Sequence, residues 1–353
     1  MEKKHIKTVV IGAGQSGLAV AYYLKKNNEE FVLLDSRENV GNSWRERWDS
    51  LRLFTPSQYD GLPGFKYPAA RGTLPAKEEI ADYLSRYAKK FSLPIELNTK
   101  VLELNNTEDD YEIITSKGKI YANNVVVATG TNPSPYIPSF ASELNENIVQ
   151  IHSSKYKNPH SFPASNTLVV GAGTSGVEIA VELSKTRPTM LSGKPTPHIP
   201  DFIFRYFGRL YWLFAYYVLT VKTPIGRKVK SIVTTSGGPL ISVSMNEVKE
   251  AKVEQLPRLK GVENGLPLLE NGHIVSVSSI IWATGFKPDF SWIKFDVTGE
   301  NGWPKTNRGI AEEFEGLYFA GMIFQFGLTS GLVGGVGRDA AFVVNHLHKR
   351  YKK

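Results

Sequence analysis

The feature that most constrains this chain is a motif written twice. Residues 8–11 form a short apolar run that passes into Gly12-Ala13-Gly14-Gln15-Ser16-Gly17 and then a helical stretch, 18–26. Residues 167–170 pass in the same way into Gly171-Ala172-Gly173-Thr174-Ser175-Gly176, with a helical stretch at 177–184 behind them. A strand that turns through Gly-x-Gly-x-x-Gly into a helix lets a pyrophosphate approach backbone N–H groups at the positive end of that helix. One such loop is a weak signal. Strand, loop and helix together, repeated, predict two dinucleotide-binding units.

The strands beyond the two helices end differently. Phe31-Val32-Leu33-Leu34 is a second strand ending on Asp35, 18 residues past Gly17, with Ser36 beside it. A carboxylate there can accept hydrogen bonds from adenosine ribose hydroxyls. The counterpart Thr189-Met190-Leu191 ends on Ser192, and no acid occurs between Glu182 and Asp201, whereas Lys185, Arg187, Lys194 and His198 do. A carboxylate would repel a 2′-phosphate and a lysine at the strand exit would attract one. The pattern therefore predicts FAD in the first unit and NADP in the second, with Lys194 facing the phosphate. The alternative is a Lys194 that is simply exposed, in a site that also takes NADH.

Two more apolar strands end alike, one in Ala128-Thr129-Gly130 and the other in Ala283-Thr284-Gly285. Small residues at a strand end let the backbone approach a cofactor or turn between domains. Paired with the two glycine loops, they imply one nucleotide domain inserted into another. The expected fold class is α/β, with two Rossmann-like dinucleotide-binding domains and the NADP domain (151–284) inserted into a split FAD domain (1–150 and 285–353). A length of 353 residues suits two cores. A short strand at 316–321 and a helix at 334–346 would complete the FAD domain, the helix N-terminus suiting the pyrimidine side of a reduced flavin.

The chain has no cysteine, which excludes disulfides, thiolate nucleophiles, Cys-ligated metals and a redox dithiol at once. Any electrons handled here end on something other than a protein thiol. The net charge of +8 is partly carried by the two ends (Lys3, Lys4 and Lys7; Lys349, Arg350, Lys352 and Lys353). Solvated charge and anionic cofactors account for it more simply than nucleic acid. The apolar run near the start leads into a glycine loop and not into a cleavage site, so a cytoplasmic protein is expected. His346 and His348 are two apart on a presumed helix and face different sides, which argues against a metal site.

With these pieces in order, the chain resembles the flavin-dependent class B monooxygenases, and among them the short bacterial members similar to the plant YUCCA enzymes. The resemblance rests on the Gly12 loop, Gly41-Asn42-Ser43-Trp44-Arg45, residues 51–56, Ile151-His152-Ser153-Ser154-Lys155-Tyr156, the Gly171 loop, residues 282–288 and residues 330–340. It implies that NADPH reduces the flavin, that oxygen adds at flavin C4a, and that the resulting hydroperoxide gives one oxygen atom to a substrate. It also implies a cofactor surface that takes in Asn42, Ser43, Trp44, Arg45, Val101, Gly321, Met322 and Ser330 beside the loops. His152 is implied as a linker residue that adjusts the two cofactors, the plainer alternative being a loop histidine; no other catalytic side chain is expected. Three positions depart from the pattern. Glu146 and Ile148 replace a Phe and a Gly before His152; Pro56 stands where animal-type members carry Asn; and Met322 comes after Gly321 where many related reductases have Asp.

The expected partners are a small organic substrate, with a nucleophilic nitrogen or sulfur or a 2-oxo acid group, and oxygen. The rival outcome is an NADPH-dependent reductase or oxidase passing electrons to a quinone, a carrier protein or oxygen, and a non-enzymatic nucleotide sensor is a third. Phe54, Tyr59, Phe204 and Phe324 are candidates to line the pocket. Residues 202–221 are rich in Phe, Tyr, Trp and Leu but interrupted by Arg205 and Arg209, too costly a pair for a membrane span. An aromatic helical insertion around 201–235, packed over the substrate cavity, is the economical reading; a helix lying at a membrane surface is the sharper one.

Overall fold

The computed structural model describes residues 4–130, 134–163 and 165–351; Lys3, Lys352 and Lys353 of the basic ends lie outside this range. Its backbone is organised by two sheets. In the first, His5–Ile11 is central. It pairs in parallel with Phe31–Leu34 on one side and with the far half of Gly118–Val127 on the other. Leu317–Phe319, from the far end of the chain, adds in parallel beside Val125–Val127. The near half of Gly118–Val127 instead pairs antiparallel with Tyr111–Thr115, which pairs with Val101–Asn106. One long strand thus serves both a parallel sheet and a meander.

Helices Gln15–Lys26, Lys77–Lys90 and Val336–Tyr351 cover one face of this sheet, where Leu18, Leu24, Ile80, Tyr83, Val343 and Leu347 form a single buried cluster. The opposite face, built on Val9, Ile11 and Val127, is closed by Phe290, Ile293 and Val297. Burial from both sides explains why the central strands read as unbroken apolar runs.

The second sheet is wholly parallel, in the order Glu254–Leu256, Thr189–Ser192, Thr167–Val170, Ser279–Trp282, Val149–His152. The expected cut at 150/151 falls inside the last of these strands. Val149 and Gln150 continue the ladder with Ser279 and Ile280, and Ala141, Leu144 and Ile148 pack with Leu168 and Val170. The chain therefore joins the second sheet before residue 151. The outgoing and returning passes lie together: Ser134–Pro135 pairs antiparallel with Phe286–Lys287, and Tyr136 N donates to Gly285 O at 3.0 Å.

The aromatic stretch forms helix Asp201–Tyr217, with helix Pro224–Ser236 after it. One face of the first buries Trp212 and Ala215 against Phe54, Tyr59, Leu328 and Leu332. No helix among the described residues is long and apolar enough to cross a membrane.

Candidate active site

The two glycine loops have the same geometry, residue by residue. Gly12 and Gly171 sit at φ +107° and +112°, a region costly for any residue with a Cβ. A Cβ on Gly12 would lie 2.6 Å from Ala128 O, and one on Gly171 would lie 2.3 Å from Ala283 O. The two Ala-Thr-Gly strand ends are therefore the backbones against which the first glycines turn. Gly17 and Gly176 are closed in the same way, each with its built Cβ 1.8 Å from the carbonyl of the first glycine, Gly12 O or Gly171 O. The middle glycines differ. A Cβ on Gly14 or Gly173 meets nothing within 4 Å. Open space above the middle glycine, with packed backbone beneath the other two, is the cradle that a pyrophosphate requires. Gln15, Thr174 and Ser175 begin the two helices at the rim of that space, while Ser16 is buried beneath Gly321, whose Cβ would fall 2.0 Å from Ser16 Oγ.

At the first strand exit, Asp35 Oδ2 accepts from Ala13 N at 2.7 Å and Oδ1 accepts from Arg37 N at 2.9 Å. The carboxylate is thereby fixed at the mouth of the loop, and each oxygen keeps a lone pair for a ribose hydroxyl. Ser36 is exposed beside it. Thr99 N donates to Asp35 O at 2.8 Å, which brings the start of Val101–Asn106 to the same exit.

At the second exit, the Ser192 hydroxyl is fully buried and donates to Pro257 O at 2.7 Å. Its side chain is turned into the sheet, so the exit is furnished by backbone and by Lys194, which is exposed. Arg187, one of the basic residues in this interval, is buried and donates to the carbonyls of Pro159, Phe162 and Pro163. It ties down a loop instead of meeting a ligand. Sequence reasoning passed over Arg258, exposed two residues beyond Leu256, the register partner of Ser192.

His152 is buried at the join between the two passes. Its Nδ1 accepts from Ser154 N at 3.1 Å, so the proton of the neutral ring lies on Nε2, which donates to Gly285 O at 2.9 Å. Burial lowers its pKa below the ordinary histidine value, against the Gly285 hydrogen bond, and the Arg47 charge adds to the lowering. This imidazole is thereby tied to the Ala283-Thr284-Gly285 strand end, and Thr284 Oγ1 donates in turn to Tyr136 O.

The segment after Asp35 serves two purposes. Gly41, at φ +91°, lets Asn42–Arg45 begin a short helix against Ala81. Trp44 packs against the first core and Trp48 against the core of the second sheet, beside Tyr156, Phe162 and Val169. Asn42 and Ser43 are half-buried. Arg45 pairs with Glu78 at 3.2 Å and Asp82 at 2.5 Å on helix Lys77–Lys90. The buried Lys77 was not foreseen. It donates to Arg45 O, Arg47 O and Asp49 Oδ1 at 3.2, 3.0 and 2.9 Å, stapling the turn that carries both tryptophans. Ser330 is also turned inward, its hydroxyl accepting from Phe326 N and Gly327 N at 3.0 Å each. Met322 N, where the related reductases carry an aspartate, donates to Gln325 Oε1 at 3.2 Å.

Between the loop at 55–71, the aromatic helix and the segment 329–335 lies a cavity of about 1000 Å³. Its walls include Thr55, Tyr59, Tyr67, Trp212, Tyr216 and Leu332, with Lys66 and Arg71 at the exposed edge and no acidic side chain among the described residues. Of the four aromatics expected to line it, Tyr59 does so; Phe54 and Phe204 stand behind Trp212, and Phe324 is buried in an unfavourable left-handed conformation at φ +49°. Beneath the wall, Asp60 is fully buried. Thr55 Oγ1 donates to its Oδ1 at 2.5 Å, and its Oδ2 has no hydrogen-bond partner among the described residues. Burial pushes its carboxyl up to about 7, against the Thr55 hydrogen bond.

Two matched dinucleotide cradles joined by paired crossings, with a cavity walled by the aromatic helix, define a two-nucleotide oxidoreductase. The sequence matches the family described as pyridine nucleotide-disulphide oxidoreductase over residues 9–195. It is 38% identical to an uncharacterised oxidoreductase, CzcO-like, of Geobacillus kaustophilus, over 97% of this chain and 98% of that one. It is 27% identical to the probable indole-3-pyruvate monooxygenase YUCCA9 of Arabidopsis thaliana, over 89% of this chain and 83% of the other. The fold matches a flavin-containing monooxygenase from Stenotrophomonas maltophilia with TM-score 0.80 and 24% identity, covering 98% and 99% of the two chains. The chain belongs to the pyridine nucleotide-disulphide oxidoreductase family, and it is an oxidoreductase of the flavin-monooxygenase type with FAD and NADP(H) as cofactors. Lacking cysteine, it has no dithiol to relay electrons to a disulfide.

Proposed function

We propose that this protein is an NADPH-dependent monooxygenase that places one oxygen atom on a small aromatic or apolar acid held in the cavity behind the aromatic helix. FAD, when bound, supplies the redox chemistry, taking hydride from NADPH and engaging oxygen. The chain's own residues supply position and dryness. The open cradles at Gly14 and Gly173 would hold the two pyrophosphates, Asp35 the first ribose, and Lys194 the 2′-phosphate of NADP. The inserted unit, expected at 151–284, would carry the second of these sites. His152 would hold the strand end at Gly285 in register with the linker.

The observation that carries the reading is the cavity itself. It is lined by aromatic side chains, bordered by Lys66 and Arg71, and free of acidic side chains among the described residues. That chemistry suits an aromatic body bearing a carboxylate. Of the three substrate types expected, the 2-oxo acid is the one this lining favours, and a relative's name, indole-3-pyruvate monooxygenase, is in keeping with it.

Stopped-flow oxidation of the NADPH-reduced protein tests the reading. A transient that absorbs unlike either reduced or oxidised flavin, and that persists while NADP is bound, is expected. Direct return to oxidised flavin with stoichiometric peroxide would overturn oxygen transfer and leave the reductase or oxidase outcome.

A further inference from the structure

The aromatic helix buries one face over the cavity and leaves the other bare. Phe202, Tyr206, Phe207, Leu210, Phe214 and Tyr217 are exposed, from 41% at Phe214 to 71% at Tyr206. Their spacing of three and four places them along one side of helix Asp201–Tyr217. At about 200 Å² for each large side chain, they present on the order of 700 Å² of apolar surface, above the largest patch of an ordinary monomer. The adjoining helix Pro224–Ser236 packs against the same cluster through Val229 and exposes Ile225, Lys228 and Ile232 on one of its faces.

Charge identifies what covers this face. Between Asp201 and Glu247 the sequence has no Asp or Glu, but it has Arg205, Arg209, Lys222, Arg227, Lys228 and Lys230. Arg209, Lys222, Arg227, Lys228 and Lys230 are exposed, and none forms an ion pair among the described residues. A second copy of this chain would bring cations against cations, which opposes self-association. Exposed aromatics and leucine with uncompensated Lys and Arg around them are what an anionic lipid surface selects. The aromatic helix is too short to span a bilayer and is anchored along its inner face, so it would lie flat.

We propose that helices Asp201–Tyr217 and Pro224–Ser236 dock the protein on the surface of an anionic bilayer. Apolar side chains would enter the headgroup boundary while the cations meet lipid phosphates. Leu213, Tyr216 and Tyr217 also line the cavity, so its wall is part of the docked helix. Docking would bring the cavity to the headgroup boundary, where the aromatic body of such an acid partitions, and only that consequence rests on the monooxygenase reading; docking is independent of it.

The test is co-sedimentation of the FAD-loaded full-length protein with phosphatidylcholine vesicles containing about one third phosphatidylglycerol, an anionic surface of ordinary strength. Binding is expected at low salt, weakened by high salt and roughly tenfold or more weaker on pure phosphatidylcholine. Lys228→Glu with Lys230→Glu should weaken it by about fivefold or more per cation lost. Leu210→Glu with Tyr206→Glu, which touch no cavity wall, should abolish it while flavin content and melting temperature stay unchanged. Absence of vesicle binding at low salt would overturn the proposal. So would binding that survives the Leu210→Glu and Tyr206→Glu pair in a folded protein, or a lipid-free dimer that the same pair dissociates.

Discussion

Asp60→Asn separates the chemistry of the cavity wall from its packing. Asp60 is a fully buried carboxyl whose only partner among the described residues is Thr55 Oγ1, and it titrates at about 7 against 3.8 when unperturbed. Because the folded value is the higher one, the folded state holds a proton that the unfolded chain has already released. Stability is therefore fully present below about pH 4, falls as pH rises towards 7, and is flat above that. The accumulated loss is about 4 kcal/mol, at about 1.4 kcal/mol per pH unit. Asparagine stays neutral and keeps an oxygen for the Thr55 hydroxyl, so this slope should vanish in the variant. Its NH₂ group, in place of the orphaned Oδ2, costs about 1–3 kcal/mol at every pH. The two stability curves should cross: the variant weaker at pH 4 and stronger at pH 8, there by about 1–3 kcal/mol. Urea unfolding of the FAD-loaded protein at pH values between these limits reads the difference. With m of about 3 kcal/mol/M, the midpoints should diverge by roughly 0.5 M per pH unit. Parallel curves would show that Asp60 is ionised throughout and would refute the argument.

The nucleotide cradles yield two further expected outcomes. Lys194→Ala should raise KM for NADPH by about tenfold or more and leave that for NADH unchanged, since one charge-assisted contact to a 2′-phosphate contributes about 1.5–3 kcal/mol; an unchanged preference would remove Lys194 from the site. Gly173→Ala should leave the melting temperature of the NADP-free protein unchanged and raise KM for NADPH, because its Cβ meets no protein atom within 4 Å. Gly176→Ala, whose Cβ falls 1.8 Å from Gly171 O, should lower the melting temperature by an amount equivalent to about 1–3 kcal/mol; equal stability losses in the two variants would contradict the division of roles.

The parts of this protein that were legible in the sequence are those written in local order. Strand, glycine loop, helix and next strand are contiguous, and backbone sterics permit few arrangements of Gly12-Ala13-Gly14-Gln15-Ser16-Gly17. The matching Ala-Thr-Gly ends were visible too, although only the structure shows that Gly12 and Gly171 turn against their carbonyls. The features that escaped are long-range. Arg45 and Arg187 are cations beside presumed cofactor sites, and nothing local reveals that one meets Glu78 and Asp82 and the other a ring of carbonyls. Ser192 and Ser330 were selected by position, but a hydroxyl's direction is set by whichever carbonyl or N–H the tertiary fold leaves nearby. Lys77 and Asp60 are buried ionisable groups, and a charged letter in a polar stretch carries no mark of its burial.

The aromatic helix shows how one segment can satisfy two readings that looked exclusive. As a sequence, 202–221 is apolar on nearly every side, and a helix apolar all round is either buried or lipid-facing. The fold has one wall to offer it, formed by Phe54, Tyr59, Leu328 and Leu332, and that wall is wide enough for one face. Trp212 and Ala215 take that face with Phe204 and Tyr211 packed beside them, and Phe202, Tyr206, Phe207, Leu210 and Phe214 are left outward by geometry, not by choice of rotamer. A helix kept only to roof a cavity would need no more than a polar outer face; Tyr206, Phe207 and Leu210 are costly there unless something apolar meets them. The absence of any acid between Asp201 and Glu247 sharpens the point, since a solvated roof would tolerate both signs of charge. The same stretch thus closes the cavity on its inner side and, on its outer side, is written for a surface that is both apolar and anionic.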